Sequence, residues 1–114
     1  MGVCLGGNLA FRIAAESDAD CNLSCHGIGI EGRLDGATRI GRPRLMHIAE
    51  KDMFVPPEAQ ARILAAIQRS PAAAAHVYPG VDHAFSRIGG HSWNGRAAAI
   101  VDGRTAEFLA AHLG

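Results

Sequence analysis

Gly2-Val3-Cys4-Leu5-Gly6-Gly7 is the most informative stretch of this 114-residue chain. The pattern Gly-x-Cys-x-Gly is the thiol form of the nucleophile elbow, a sharp strand-to-helix turn that presents a reactive side chain. The glycines two before and two after Cys4 leave room for a strained backbone that a Cβ atom would crowd. The motif predicts a hydrolase with Cys4 as its nucleophile. Because an elbow needs a strand before it and only Met1 to Val3 precede Cys4, half of the domain is expected to be absent.

Composition and charge are those of one small globular domain. Apolar residues make up 48% and charged residues 19% of the chain, and 11 basic side chains balance 11 acidic ones. No basic patch predicts nucleic-acid binding, and no apolar run is long enough for a membrane span or a signal peptide. We therefore expect one partial domain over residues 1–114, in the cytoplasm, with neither nucleic acid nor membrane as a partner.

Three cysteines make a disulfide framework an unfavourable interpretation, since the number is odd. A C-x3-C-H cluster, formed by Cys21, Cys25 and His26, can be interpreted as a metal site. A structural zinc site normally needs four ligands, and no second pair follows. Buried thiols in a strand are the favoured interpretation, and neither a metal nor a cofactor is predicted.

Short apolar runs alternate with helical patterns, which indicates βα units and a parallel sheet. The fold class is therefore α/β, with about three parallel strands and flanking helices. The predicted elements are a helix over 6–17, a strand over 21–30, a loop over 31–44, a strand over 45–49, a helix after Pro56-Pro57, a strand over 75–78 and a final helix from about Arg96.

Three residues stand in the chain order nucleophile, acid, base. Cys4 lies on the elbow, Asp52 follows the strand over 45–49, and His83 follows the strand over 75–78. The carboxyl ends of parallel strands meet at one edge, so the three should converge there. His83 would relay the proton and Asp52 would orient its imidazole. The backbone N–H of Leu5 would be an oxyanion donor.

Other residues compete for these roles. Glu50 is the nearest rival for the acid, and Asp82 is equally well explained as a loop charge. His47 lies inside an apolar strand and is expected to be a hydrogen-bonded core residue. The remaining histidines occupy less suitable positions than His83: His26, His76, His91 and His112.

Four segments strongly resemble the dienelactone hydrolases. They are the elbow itself, Pro43-Arg44-Leu45-Met46-His47-Ile48-Ala49-Glu50-Lys51-Asp52 with Val55-Pro56, Tyr78-Pro79-Gly80-Val81-Asp82-His83-Ala84-Phe85, and a closing helix with Arg104-Thr105, Phe108-Leu109 and His112-Leu113. The resemblance covers essentially the whole chain.

This resemblance implies the C-terminal portion of an α/β-hydrolase fold and hydrolysis of a cyclic enol ester, such as carboxymethylenebutenolide opening to maleylacetate. It implies the same triad of Cys4, Asp52 and His83, and it assigns Arg87 to the substrate carboxylate. Cys25-His26 departs from the family, where aromatic residues are usual. The family's N-terminal half, with the second oxyanion donor, has no counterpart in this sequence.

Two classes of function follow. The first is a hydrolase of a small ester or lactone, weakly active and poorly stable as this chain alone. The alternative is a non-catalytic or split half-domain that self-associates or pairs with a complementary N-terminal half, because an unpaired strand edge and apolar helix faces would be exposed.

Overall fold

Four parallel strands lie side by side in chain order in a computed structural model that describes residues 1–32 and 41–113. The strands and helices are β1 (Gly2–Val3), α1 (Leu5–Glu16), β2 (Asn22–Cys25), β3 (Arg44–Ala49), α2 (Pro57–Gln68), β4 (Ala73–Tyr78) and α3 (Gly95–Leu113). Each strand pairs in parallel with the next, for example Val3 with Cys25 and Cys25 with His47.

The α/β fold class is confirmed, with two differences in detail. The sheet has four strands rather than three, because Gly2–Val3 pairs with β2 despite its length of two residues. The strand predicted over 21–30 ends at Cys25, since the backbone of His26 turns to a φ of 37°. Most of the loop predicted over 31–44 lies outside the described residues.

The two faces of the sheet are covered by different helices. Side chains of α1 and α2 pack with Met46 and Ile48 on one face, while α3 packs with Leu45 and Ala49 on the other. This alternation follows from the two-residue period of a strand. All six residues of β3 are buried, as expected for a central parallel strand with helices on both faces.

The carboxyl ends of the strands place four chemically active side chains along one edge. Cys4 follows β1, His26 follows β2, Asp52 lies three residues beyond β3 and His83 lies five beyond β4. This edge is where open parallel sheets bind ligands.

No helix in the described part of the chain is both long and apolar enough to cross a membrane.

Candidate active site

Cys4 occupies a strained turn between β1 and α1. Its φ of 58° and ψ of −120° are rare for a residue with a side chain. A Cβ on Gly2 would overlap the carbonyl oxygen of Gly6, which explains the glycine two residues before Cys4. A Cβ on Gly6 would meet open space. The prediction that a Cβ at this second glycine would crowd the elbow is therefore wrong.

A continuous hydrogen-bonded line joins the three residues proposed as a triad. His83 Nε2 lies 3.1 Å from Cys4 Sγ, and His83 Nδ1 lies 2.7 Å from Asp52 Oδ2. The residues are separated by 79 and 31 positions in the chain, so only the sheet brings them together. An imidazole between a thiol and a carboxylate can accept a proton on one side while the other side holds its orientation.

Asp52 is fixed by its surroundings. Its residue exposure is 3%, and its second carboxylate oxygen, Oδ1, accepts the backbone N–H of Phe54 at 2.9 Å. The Phe54 ring stands edge-on to the His83 ring, with centroids 5.0 Å apart. Glu50, its rival in the sequence, is exposed to solvent. Asp82 accepts the backbone N–H of His83 at 2.6 Å, which is a role within the loop.

A cavity of about 480 Å³ opens beside Cys4 and His83. Arg87 is exposed and lines this cavity, so the residue assigned to the substrate carboxylate lines the same cavity as the thiol. Leu5 is the first residue of α1, and its N–H has no acceptor within the helix. The positive end of the helix macrodipole lies here, which favours a negatively charged oxygen bound beside the helix start.

His26 also belongs to this site, although its position in the sequence is less suitable for the catalytic base than that of His83. It is 2% exposed, its Nε2 lies 2.8 Å from Ser86 Oγ, and its ring is edge-on to His83 with centroids 5.5 Å apart. Burial, then the charge of nearby His83, lowers the pKa of His26 to about 4, with Asp52 opposing. The strand predicted over 21–30 ran past His26, and only the end of β2 at Cys25 in the structure places this residue at the same edge as the other three.

Backbone strain is concentrated around the cavity. Among the described residues, the non-glycine positions with positive φ are Cys4, His26 and Ala84, the last at 62°. All three line the 480 Å³ cavity. Strained conformations of this kind are held in place by surrounding structure and cluster at functional sites.

Of the other sequence candidates, Cys25 lines the 480 Å³ cavity and His47 does not. His47 is buried, and hydroxyls lie close to both of its ring nitrogens, as expected for a core histidine. No three histidine, cysteine or acidic side chains within residues 1–32 and 41–113 are grouped so that they could hold a metal ion. Burial, then the charge of Asp102, raises the pKa of the Cys25 thiol to about 11, which disfavours its thiolate form.

Comparison with known proteins identifies the family of this chain. The model of the dienelactone hydrolase family matches residues 1–113. The chain therefore belongs to the dienelactone hydrolase family, and the resemblance noted from the four segments is confirmed.

Curated relatives share both sequence and name. A protein of Azospirillum brasilense, provisionally named a carboxymethylenebutenolidase, is 54% identical over 110 residues, which is 96% of this chain and 48% of the relative. Carboxymethylenebutenolidase 1 of Cupriavidus pinatubonensis is 36% identical over 96% of this chain and 47% of its own length. The chain spans about half the length of the curated relatives it matches.

A solved structure confirms the fold. The crystal structure of a protein from Klebsiella pneumoniae, provisionally named a dienelactone hydrolase, superposes with a TM-score of 0.82. The match covers 96% of this chain and 50% of the other, at 22% sequence identity. At that identity the similarity establishes the α/β-hydrolase fold.

Proposed function

We propose that this chain carries the catalytic residues of an ester hydrolase that acts on a lactone or related carboxylic ester. The observation that supports this most strongly is the line from Cys4 Sγ through His83 to Asp52, with distances of 3.1 and 2.7 Å. In the proposed mechanism Cys4 is the nucleophile, His83 the base and Asp52 the residue that orients the imidazole.

In the first half of the reaction, the ester carbonyl is attacked by sulfur. The thiol proton passes to His83 Nε2 while Cys4 Sγ bonds to the carbonyl carbon. The carbonyl oxygen becomes negative and accepts a hydrogen bond from the N–H of Leu5. The carbon–oxygen ester bond then breaks, the leaving oxygen takes the proton from His83, and a thioester remains on Cys4.

In the second half, water releases the acyl group. His83 Nε2 takes a proton as the water oxygen bonds to the thioester carbon. The carbon–sulfur bond breaks, the product leaves as a carboxylic acid, and the thiol of Cys4 recovers the proton from His83. Asp52 stabilises the cationic imidazole in both halves without itself taking a proton.

The substrate class is inferred from Arg87 and from the family. A cyclic enol ester such as carboxymethylenebutenolide carries a carboxylate, and a guanidinium can bind that group through two parallel hydrogen bonds. Arg87 forms no ion pair with any of the described residues and stands beside the cavity. It is therefore available for an acidic substrate.

The test is acyl transfer to Cys4. The purified protein is incubated with p-nitrophenyl acetate and with carboxymethylenebutenolide, and mass spectrometry locates the thioester while absorbance follows turnover. Cys4→Ala should abolish both signals, whereas Cys21→Ser, a change outside the cavity, should leave them unaltered. Absence of a thioester on Cys4 in protein shown by circular dichroism to be folded would contradict the proposal.

A second candidate, the pairing half-domain, is favoured by one exposed surface. Leu5, Leu9 and Ile13 follow one another at four-residue spacing on α1 and are 61%, 50% and 51% exposed. Val3 on β1 is 48% exposed, and β1 pairs with β2 alone among the described strands. We propose that this surface, the β1–α1 face, binds a polypeptide that adds a strand beside β1.

Light scattering after size-exclusion chromatography tests this candidate. Ile13→Glu places a charge within the β1–α1 face and should shift the protein to a smaller assembly or prevent capture of the complementary half. Ile88→Glu changes a side chain that is 85% exposed on the loop after β4 and is the matched control. Equal behaviour of both variants and the unmodified chain would eliminate the pairing function.

A further inference from the structure

His26 and Ser86 link two segments of the site that are far apart in the chain. Their side chains meet at 2.8 Å between Nε2 and Oγ, across 60 residues. His26 follows β2, and its backbone N–H donates to the carbonyl of His47 in β3 at 2.8 Å. One end of the link is therefore anchored in the sheet.

The other end of the link lies in the loop that carries His83. Ser86 is three residues beyond His83 and one before Arg87, and all three line the 480 Å³ cavity. Ala84, between them, has a φ of 62°, so this loop adopts a conformation that an isolated chain rarely samples. Such a conformation persists where neighbouring contacts over-determine it.

The hydrogen bond has a preferred direction. His26 Nδ1 is buried and has no hydrogen-bond partner among the described residues. If His26 Nε2–H donates to Ser86 Oγ, Nδ1 keeps an unpaired acceptor lone pair. The opposite tautomer would bury an unpaired N–H donor, which is the rarer situation in proteins.

His26 is uncharged while it makes this contact. Its pKa near 4 results first from burial and second from the proximity of His83. Because the rings of the two histidines are 5.5 Å apart, a charged His26 would repel the imidazolium that His83 forms in the reaction. A neutral donor holds the loop without this penalty.

We infer that His26 and Ser86 form a positioning pair that holds the loop after β4 so that His83 Nε2 faces Cys4 Sγ. This inference rests on the proposed function, since it concerns the residue that would activate Cys4. Neither member of the pair is a proton carrier in the reaction. Their effect on the site is exerted through the orientation of His83.

Alkylation of Cys4 by iodoacetamide, located by mass spectrometry at fixed pH, measures this orientation without requiring turnover. His26→Phe keeps an aromatic ring but removes Nε2, and Ser86→Ala removes Oγ. We expect each to slow the reaction of Cys4 about tenfold, because small displacements of a catalytic group are costly. The double variant should be no slower than either single variant, and Ser86→Thr, which keeps a hydroxyl, should recover the rate.

Two control variants distinguish a failure of the positioning pair from a failure of the proposed function. His76→Phe changes a half-buried histidine outside the cavity and should leave the rate unchanged. His83→Ala measures the contribution of the triad itself. If His83→Ala has no effect, the proposed function fails. If His83→Ala slows alkylation but His26→Phe and Ser86→Ala do not, only the positioning pair is overturned. The same conclusion follows if the rate losses of the two single variants multiply in the double variant.

Discussion

His83 and His47 are two histidines with polar groups close to both ring nitrogens, yet they have different surroundings. His83 lies between Cys4 Sγ and Asp52 Oδ2, beside a cavity, and its side chain is 15% exposed. His47 is 1% exposed, with the hydroxyl of Tyr78 2.8 Å from Nδ1 and that of Thr105 3.1 Å from Nε2.

The hydrogen bonds around His47 have one consistent direction. Arg104 donates to the Tyr78 hydroxyl oxygen at 3.1 Å, so the Tyr78 O–H is free to donate to His47 Nδ1. His47 Nε2–H then donates to Thr105, which fastens α3 to the sheet. Burial and two hydrogen bonds therefore do not make a histidine catalytic. The partners of His47 are hydroxyls, whereas those of His83 are a thiol and a carboxylate beside the 480 Å³ cavity.

The largest expected effect comes from a comparison in which one hydrogen-bond partner of each histidine is replaced. Asp52→Asn should lower the turnover number on the order of 10³-fold, since the amide no longer selects the imidazole tautomer or stabilises its charge. Tyr78→Phe should leave turnover within about twofold but reduce the free energy of unfolding by about 1–2 kcal/mol, because it leaves buried polar atoms unpaired. Steady-state kinetics and urea denaturation of both variants make the comparison. A larger loss of turnover in Tyr78→Phe than in Asp52→Asn would reverse our assignment of the two networks.

A second comparison concerns the two glycines that flank Cys4. Gly2→Ala would place a Cβ against the backbone of Gly6, so the elbow must shift and the alkylation rate of Cys4 should fall about tenfold. Gly6→Ala meets open space and, within a helix, should stabilise the protein by up to about 1 kcal/mol with Cys4 equally reactive. Iodoacetamide kinetics and thermal denaturation measure the two effects. Equal reactivity of Cys4 in both variants would show that close approach at Gly2 does not shape the elbow.

A third comparison concerns the pH dependence of stability. Burial, with smaller contributions from His76, Arg104 and His26, lowers the pKa of His47 to about 4, against 6.5 when unfolded. The unfolded chain binds the proton first as pH falls, so this stabilisation is complete above about pH 6.5 and is lost as the pH falls through 4. Between pH 7 and pH 5 His47 should account for a loss of about 2 kcal/mol in the free energy of unfolding.

Urea denaturation at the two pH values checks this prediction. His47→Gln cannot titrate in this range and should show a weaker pH dependence than the unmodified protein. His91→Gln, on the loop before α3, is the matched control and should retain it. An identical pH dependence in His47→Gln and in the unmodified protein would mean that His47 is not buried as a neutral ring.

Local signals in the sequence were sufficient for most of the elements. Proline at the start of α2, helical spacing of apolar residues and short apolar runs predicted the type of every long element. The two errors have physical causes. β1 is too short to show a period and is a strand only because β2 lies beside it. β2 ends early because His26 adopts a positive φ, which depends on contacts with β3 and Ser86.

The sequence alone specified which residue types stand after which strands, and therefore that Cys4, Asp52 and His83 share one edge of a parallel sheet. This follows from chain order and from the geometry of parallel strands, which are local or topological properties. Distances between side chains and the second histidine of the site were decided by tertiary structure. The contact of His26 with Ser86, like the network of His47, joins residues that no periodicity relates, because only packing of the strands and loops determines which side chains meet.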